Sequence, residues 1–279
     1  MARKLLNGTE LAGFVKQRQA KQVRMLRQAH GIVPKLVIIM SEQAPPVITT
    51  YVRMKQQYGA DILVETEVVA CAQADMPAAI TRANADDSVQ GIIVQLPLED
   101  TSQTEAIVDL IAPDKDVDGL GQGATFVSAT AEAVDWLLAG YSVSLEGKRI
   151  TLLGNGKLVG RPLAALWREA GHDVTVLDRS SEHPDEVLRA SDIIVSATGQ
   201  PRILHEGNVP QGAIVVDAGT VSEDGQIVGD AAPELQVRRD LIITPPKGGV
   251  GPLTVVLLFD HVIQACLWRI ERHSEVSSE

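Results

Sequence analysis

Tyr51 and Lys55 stand four residues apart in VITTYVRMKQQYGAD, a spacing that puts both side chains on one face of a helix. A lysine beside an aromatic ring in a partly desolvated cleft has its ammonium form disfavoured. Its pKa then falls toward a range useful for moving protons. Taken alone, the pair also reads as an ordinary amphipathic surface. Gln95 ends the apolar run GIIVQLPL (91–98), just before Pro97. A polar amide closing a buried strand faces the carboxyl-end crevice where ligands of open α/β sheets bind. The alternative is a core amide with its hydrogen bonds satisfied. PDKDVDG (113–119) gathers Asp114, Asp116 and Asp118 in one turn. It lacks the twelve-residue pattern and terminal glutamate of a calcium loop, so no metal is expected there. A carboxylate in such a turn can accept paired N–H bonds from a planar amino-heterocycle. The same residues also describe a loop that caps a helix.

A second set of residues suits a phosphate. RITLLGNGKLVGRP places Gly154, Gly156 and Gly160 between an expected strand and an expected helix, with Asn155 between the first two glycines. The spacing G-x-G-x-x-x-G is one residue looser than the common dinucleotide fingerprint. Gly154 permits a tight turn, Gly156 lets backbone approach a pyrophosphate, and Gly160 permits close helix–sheet contact. Asp178 ends the next expected strand, where a carboxylate bonds ribose hydroxyls and repels a 2′-phosphate. A solvated turn with Arg179, Ser180 and Ser181 accounts for Asp178 equally well. TPPKGGVGP (244–252) packs Gly248, Gly249 and Gly251 between prolines. That composition fixes an unusual backbone path and removes side chains where another molecule's ring could lie, or it makes a rigid connector.

These residues need elements to hold them, and the hydropathy pattern supplies two alternations. LVIIM (36–40), ILVETEVVA (62–70) and GIIVQLPL (91–98) read as strands, with helices over the tyrosine–lysine segment to about Gly59 and over 76–86. After DGLGQGAT (118–125), a helix over 130–140 precedes strands at 149–154, 173–178, 191–199, 212–219 and 241–246. Further helices are expected over 159–171 and 253–273. The expectation is an α/β fold of two domains with parallel-type sheets flanked by helices, the second Rossmann-like, and a cleft between them. Residues 1–120 with 253–279 would form the first domain and 121–252 the second.

Composition narrows the partners. The 279 residues carry 25 basic and 36 acidic side chains, a net charge of −11, and only 3% are aromatic. Such a surface repels phosphate backbones and offers few stacking platforms, so no nucleic-acid partner is expected. No stretch of about 18 uninterrupted apolar residues argues for a membrane span. MARKLLNGTE turns polar too soon for a secretory signal. Cys71 and Cys266 make neither a disulfide framework nor a zinc cluster, which points to the cytoplasm.

In this order the segments resemble the bifunctional methylenetetrahydrofolate dehydrogenase/methenyltetrahydrofolate cyclohydrolase family. The resemblance is carried by LLNGTELA (5–12), YVRMK (51–55), GIIVQLPL, PDKDVDG, GAIVVDAG (212–219), the Gly-Asp at 229–230 and GGVGPLT (248–254). It implies oxidation of methylenetetrahydrofolate with a nicotinamide cofactor, then hydrolysis to 10-formyltetrahydrofolate, in a cytoplasmic homodimer. By the same resemblance Lys55 is the catalytic lysine, Tyr51 stacks on the folate and Gln95 orients the lysine. Asp118 holds the amino-pyrimidinone edge of the pterin. Gly249, Val250, Gly251 and Pro252 form a wall against folate and nicotinamide, and Gly219 with Thr220 lies near the nicotinamide.

Departures from the family pattern bear on the cofactor and on turnover. Gly154, Asn155 and Gly156 stand where the family has Gly-Arg-Ser. The family's usual cofactor is NADP, but losing that arginine and serine while carrying Asp178 leans the chain to NAD. Arg179, Lys157 and Arg161 are the available compensating cations. Ile48 replaces a serine three residues before the tyrosine, Lys247 follows Pro246 where the family has proline, and SATAEAV (128–134) replaces a Cys-Thr-Pro block. A homologue keeping only the cyclohydrolase step, and a non-catalytic folate- or dinucleotide-binding protein, are the alternatives these changes raise.

Overall fold

The computed structural model describes residues 4–223 and 226–276. The first half runs β1 (Lys4–Leu5), α1 (Gly8–His30), β2 (Lys35–Ser41), α2 (Pro46–Asp61), β3 (Glu65–Cys71), α3 (Met76–Ala85), β4 (Gly91–Val94) and α4 (Thr104–Val108). Next come α5 (Ala129–Gly140), β5 (Ile150–Leu153), α6 (Gly160–Glu169), β6 (Val174–Leu177), α7 (Pro184–Arg189) and β7 (Ile193–Ser196). The chain closes with β8 (Ile214–Asp217), β9 (Val221–Glu223), β10 (Gln226–Val228), β11 (Ile242–Ile243) and α8 (Val250–Val276).

The chain forms two compact units, Gly13–Ala129 with Val255–Glu279, and Met1–Ala12 with Thr130–Thr254. The former holds a three-stranded sheet in the order β3-β2-β4, with both pairings parallel. The latter holds a six-stranded sheet, β1-β11-β8-β7-β5-β6, parallel throughout. A separate hairpin pairs β9 with β10. Each expected strand is found, so the sheets are of the parallel type expected. The unit limits differ from 1–120 and 121–252. β1 pairs with β11, which takes the first twelve residues into the six-stranded unit, and the chain passes between units after Ala129.

Parallel sheets covered by helices need strands buried on both faces, and β2 is buried along almost its whole length. Its side chains Val37 and Ile39 meet Met76 and Ile80 of α3 and Ile92 and Val94 of β4 in one core. In the six-stranded unit Leu153, Ile194, Val215 and Ile243 from four strands meet Leu188 of α7. The strand expected to begin at Ile62 starts only at Glu65. Ile62 and Val64 still donate backbone bonds to Gly59 O, and Leu63 takes a φ of 67°, so these residues terminate α2.

α1 has no counterpart in the sequence reading. Its buried positions, Ala12, Gln19, Val23 and Leu26, keep helical spacing, but a glutamine interrupts the apolar stripe. Gln19 Nε2 donates to Val256 O and to Asp260 Oδ1, both at 3.0 Å, and Gln19 Oε1 accepts from Tyr58 Oη at 2.7 Å. One amide thereby joins α1 to α8 and α2. α8 between Val250 and Arg272 is long and apolar enough to cross a membrane by composition. Most of it is instead buried in the protein, with Phe259 against Tyr58 and His261 against Phe126.

Gln19→Ala removes three hydrogen bonds, leaves the half-buried Tyr58 hydroxyl without its described partner and lowers stability by about 1–3 kcal/mol. The exposed Gln17→Ala stays within about 0.5 kcal/mol of wild type. Urea unfolding followed by circular dichroism measures both.

Candidate active site

α2 buries Ile48, Val52, Lys55 and Gly59 on one face, so the lysine occupies a position that apolar residues fill one turn either way. Its Nζ donates to Gln95 Oε1 at 2.7 Å. Gln95 follows β4 directly. Its backbone N–H donates to Ile39 O at 2.8 Å and its Nε2 to Leu96 O at 3.0 Å, which leaves Oε1 facing the lysine. Burial pushes the Lys55 pKa down, and the charge of Asp118 opposes that fall. Tyr51, one turn earlier and half-buried, has its phenol pushed up by burial and so stays protonated. Ile48 is buried on the same face of α2 as Val52.

The Asp-rich turn separates into distinct duties. Asp114 is exposed and lies 3.8 Å from Arg272. Lys115 is buried and donates from Nζ to the carbonyls of Ala83, Asn84 and Asp86 at 3.2, 2.8 and 2.8 Å, closing the end of α3. Asp116 is buried and accepts the backbone N–H groups of Gly119, Leu120 and Gly121 at 3.0, 3.0 and 2.6 Å. Asp118 is left over. Its carboxylate accepts no hydrogen bond from another described residue, and burial pushes its pKa up to about 6 against the pull of Lys55 and His261. Val117, the residue before it, is held through its carbonyl by His261 Nδ1 at 2.8 Å. His261 stacks on Phe126, which stacks in turn on Trp268. Lys55, Gln95 and Asp118 thus share one electrostatic site in the three-stranded unit. Among the described residues no group of three or more His, Cys, Asp or Glu side chains is arranged to hold a metal ion.

In the six-stranded unit the glycine turn follows β5 as expected. Gly154 takes a φ of 108° and donates its N–H to Leu177 O at 2.8 Å, tying the turn to the end of β6. A Cβ at Gly160 would collide with Gly154 O, so α6 starts hard against the turn. Gly156 has open space where a Cβ would be, leaving its backbone accessible beside the α6 N-terminus. Asp178 Oδ1 accepts from Ser180 N at 2.9 Å and Ser180 Oγ at 2.6 Å, and the Asn155 side chain donates to the same carboxylate. These bonds hold its pKa down. Arg161 is committed to the turn through Nε to Asn155 O at 3.1 Å. Gly154, Asn155, Gly156, Gly160 and Asp178 therefore come together as a bare-backbone cradle with an anion at its rim, which fits the pyrophosphate and ribose of a dinucleotide.

Gly219 and Thr220 follow β8. The Gly219 N–H donates to Asp217 Oδ1 at 3.0 Å. Gly249, Val250, Gly251 and Pro252 span the start of α8, anchored by Thr9 N to Gly248 O at 3.1 Å. Gly251 is exposed with open space around it, and Lys247 is exposed. Sequence reasoning gave no role to Lys115, His261, Asp217 or Asp230. The Gly-Asp pair at 229–230 was a visible block, but nothing in its own composition indicated a partner.

Two family models match the chain: a tetrahydrofolate dehydrogenase/cyclohydrolase catalytic domain over residues 6–118 and the NAD(P)-binding domain of the same family over 128–270. A bifunctional protein FolD of Streptococcus pyogenes is 34% identical over 277 residues, covering 94% of this chain and 97% of its own. The structure of the bifunctional FolD of Campylobacter jejuni is 32% identical with a TM-score of 0.88, covering 95% of this chain and 99% of its own. The Trypanosoma brucei methylenetetrahydrofolate dehydrogenase-cyclohydrolase, complexed with NADP and an inhibitor, is 29% identical with a TM-score of 0.89 over 97% of this chain and 99% of its own.

The raised pKa of Asp118 has a stability consequence. The folded state holds this proton more tightly than the unfolded chain, so stability from this group increases as pH falls from about 6 toward the ordinary carboxylate value of ~3.9. Above that window the buried anion carries its full cost. Asp118→Asn therefore melts higher than wild type at neutral pH, and the gap closes as pH drops through the window. Calorimetric melting against pH reads it.

Proposed function

Because the chain belongs to the tetrahydrofolate dehydrogenase/cyclohydrolase family, we propose that Lys55, Gln95, Tyr51 and Asp118 carry its folate chemistry and that its dinucleotide is NAD. The enzyme oxidises methylenetetrahydrofolate to methenyltetrahydrofolate and hydrolyses that cation to 10-formyltetrahydrofolate. The three-stranded unit is then the folate-binding catalytic domain and the six-stranded unit the dinucleotide domain. The observation that carries this reading is the buried Lys55 Nζ, lowered in pKa and held by a single amide oxygen.

Asp118 presents an unpaired carboxylate to the amino-pyrimidinone edge of the pterin, a planar pair of donors that suits two parallel bonds. Tyr51 offers its ring face to the folate, and Gly249, Val250, Gly251 and Pro252 offer a wall in which the two glycines leave backbone bare. When bound, the dinucleotide accepts the hydride of the methylene carbon, for which the protein supplies orientation and proximity. Hydrolysis depends on the chain's own groups. Water adds to the methenyl carbon, and Lys55 Nζ takes its proton because burial has made the neutral amine accessible. The same nitrogen returns a proton to the ring nitrogen as its bond to that carbon breaks, leaving the formyl group on the other nitrogen. One proton is released overall. Gln95 keeps Nζ aimed throughout.

NAD is favoured because the rim anion is fixed. Asp178 is kept ionised by Ser180 and Asn155, no arginine or serine stands at the turn, and Arg161 is already engaged. A 2′-phosphate would face that carboxylate. The acidic balance and the free Cys71 and Cys266 suit a cytoplasmic enzyme that takes tetrahydrofolate derivatives and binds neither nucleic acid nor membrane. We take it to be a homodimer, which sedimentation tests.

Lys55→Met lowers cyclohydrolase turnover by at least about 10²-fold, the scale of a lost general acid–base group. The decay of methenyl absorbance measures it, and full activity in the variant refutes the role. Steady-state kinetics give kcat/KM for NAD at least about tenfold above NADP, and Asp178→Ala narrows that ratio. A preference for NADP in wild type overturns the assignment.

A further inference from the structure

Asp230 is fully buried, and its carboxylate joins loops of the six-stranded unit. Oδ2 accepts from three donors at the end of β7 and in the loop after it: Ser196 Oγ at 2.6 Å, Thr198 N at 2.7 Å and Thr198 Oγ1 at 2.8 Å. The Asp230 backbone N–H donates to Asp217 Oδ1 at 3.0 Å, at the end of β8. Asp217 also accepts Gly219 N at 3.0 Å and Ala231 N at 2.9 Å. Gly219 packs so closely that a Cβ there would collide with the Asp230 carboxyl. The β5 turn joins the same assembly, since a Cβ on Gly154 would stand 2.7 Å from Ala197 O.

The sheet order β8-β7-β5-β6 explains why this matters. β5 and β6 run to one side and β7 and β8 to the other, so the topological switch lies between β5 and β7. Ligands of such sheets bind outside the carboxyl ends of the strands at that switch. The loops that one carboxylate holds are the loops that flank it.

The arrangement is costly as pure structure. Asp230 Oδ1 is buried with no hydrogen-bond partner among the described residues. A buried carboxylate beside a half-buried one, Asp217, is disfavoured unless something depends on it. Its anionic oxygen gathers three donors at one point, which a neutral acceptor supports less strongly.

We propose that Asp230 is a positioning residue for the dinucleotide, locking the loops at 197–199 and 218–220 into the shape that receives its nicotinamide end. Asp217 acts with it by fixing the backbone from which Asp230 reaches. The proposal rests on the dinucleotide reading above and adds the residues that shape its loops.

The test uses the full chain with Asp230→Ala, Asp230→Asn and Ser196→Ala. NADH and NADPH fluorescence titrations give binding without turnover. Dehydrogenase kinetics, cyclohydrolase turnover without dinucleotide, and melting of the unliganded protein complete the set. Asp230→Ala weakens the Kd and raises the KM for dinucleotide about 10- to 100-fold, the scale of lost charge-assisted bonds. Cyclohydrolase turnover, which depends on Lys55, Gln95, Tyr51 and Asp118, is retained. Asp230→Asn keeps an acceptor for Thr198 N and loses less, as does Ser196→Ala, and these two carry the test if the alanine variant does not fold. A folded variant series with wild-type affinity overturns the role of Asp230. So does a parallel fall of both activities with melting temperature, which marks a general structural residue. Wild type that binds neither dinucleotide overturns the cofactor reading itself, and this proposal with it.

Discussion

A lysine on the buried face of a helix loses its hydration, and the three-stranded unit is arranged around replacing it. Lys55 shares its face of α2 with Ile48, Val52 and Gly59, so its ammonium cannot turn to water. It receives one amide oxygen and the distant pull of one carboxylate. A hydrogen bond to a charged group contributes about 1.5–3 kcal/mol, while removing an ammonium from water costs several kcal/mol after relaxation. The balance stays short, and the proton is held less tightly than on a surface lysine. Gln95 must therefore present oxygen rather than nitrogen, which Leu96 O enforces, and β4 must end where it does, which Ile39 O enforces.

Lys115 shows what a fully compensated lysine looks like in the same unit. An ammonium has three N–H donors, and each has a carbonyl at the end of α3. Nothing remains for a substrate, although burial lowers its pKa as well. Lys55 has one described oxygen partner, so two of its three donors are uncommitted among the described residues. A lowered pKa alone does not distinguish the two. The count of satisfied donors does.

This distinction bears on how far the fold and site were legible in the sequence. The parallel strands were, because continuous apolar runs bounded by glycine and proline admit few other readings, and so was the glycine turn before α6. α1 was hidden by Gln19, a polar residue at a core position whose partners lie more than thirty positions away in α2 and α8. PDKDVDG drew attention as a cluster, but its composition could not separate Asp116, which binds three backbone donors, from Asp118, whose carboxylate accepts none among the described residues. The choice depends on which way the turn folds over Gly119, Leu120 and Gly121. The tyrosine–lysine pair was ambiguous until placed beside the other blocks in order, since surface and site use the same helical spacing. Asp230 was invisible in role, because its donors arrive from a strand end more than thirty residues earlier.

The net charge of −11 raises a question that local geometry answers. A dinucleotide brings its own negative phosphates to an acidic protein, and long-range attraction cannot help it. The compensation is short-range: the exposed backbone at Gly156 and the N–H groups at the start of α6 act over a few ångströms, inside the screening length of about 8 Å at physiological salt. At the rim the balance reverses. Asp178 is an anion stabilised by neutral donors, Ser180 and Asn155, and not by a cation, so its charge is held in place without being cancelled. Ribose hydroxyls can donate to such a group, whereas a further phosphate would meet uncompensated charge. The glycine turn thus offers bare N–H groups to phosphate while the end of the next strand carries a fixed anion, and on the proposed reading the separation of those two points sets the choice of cofactor.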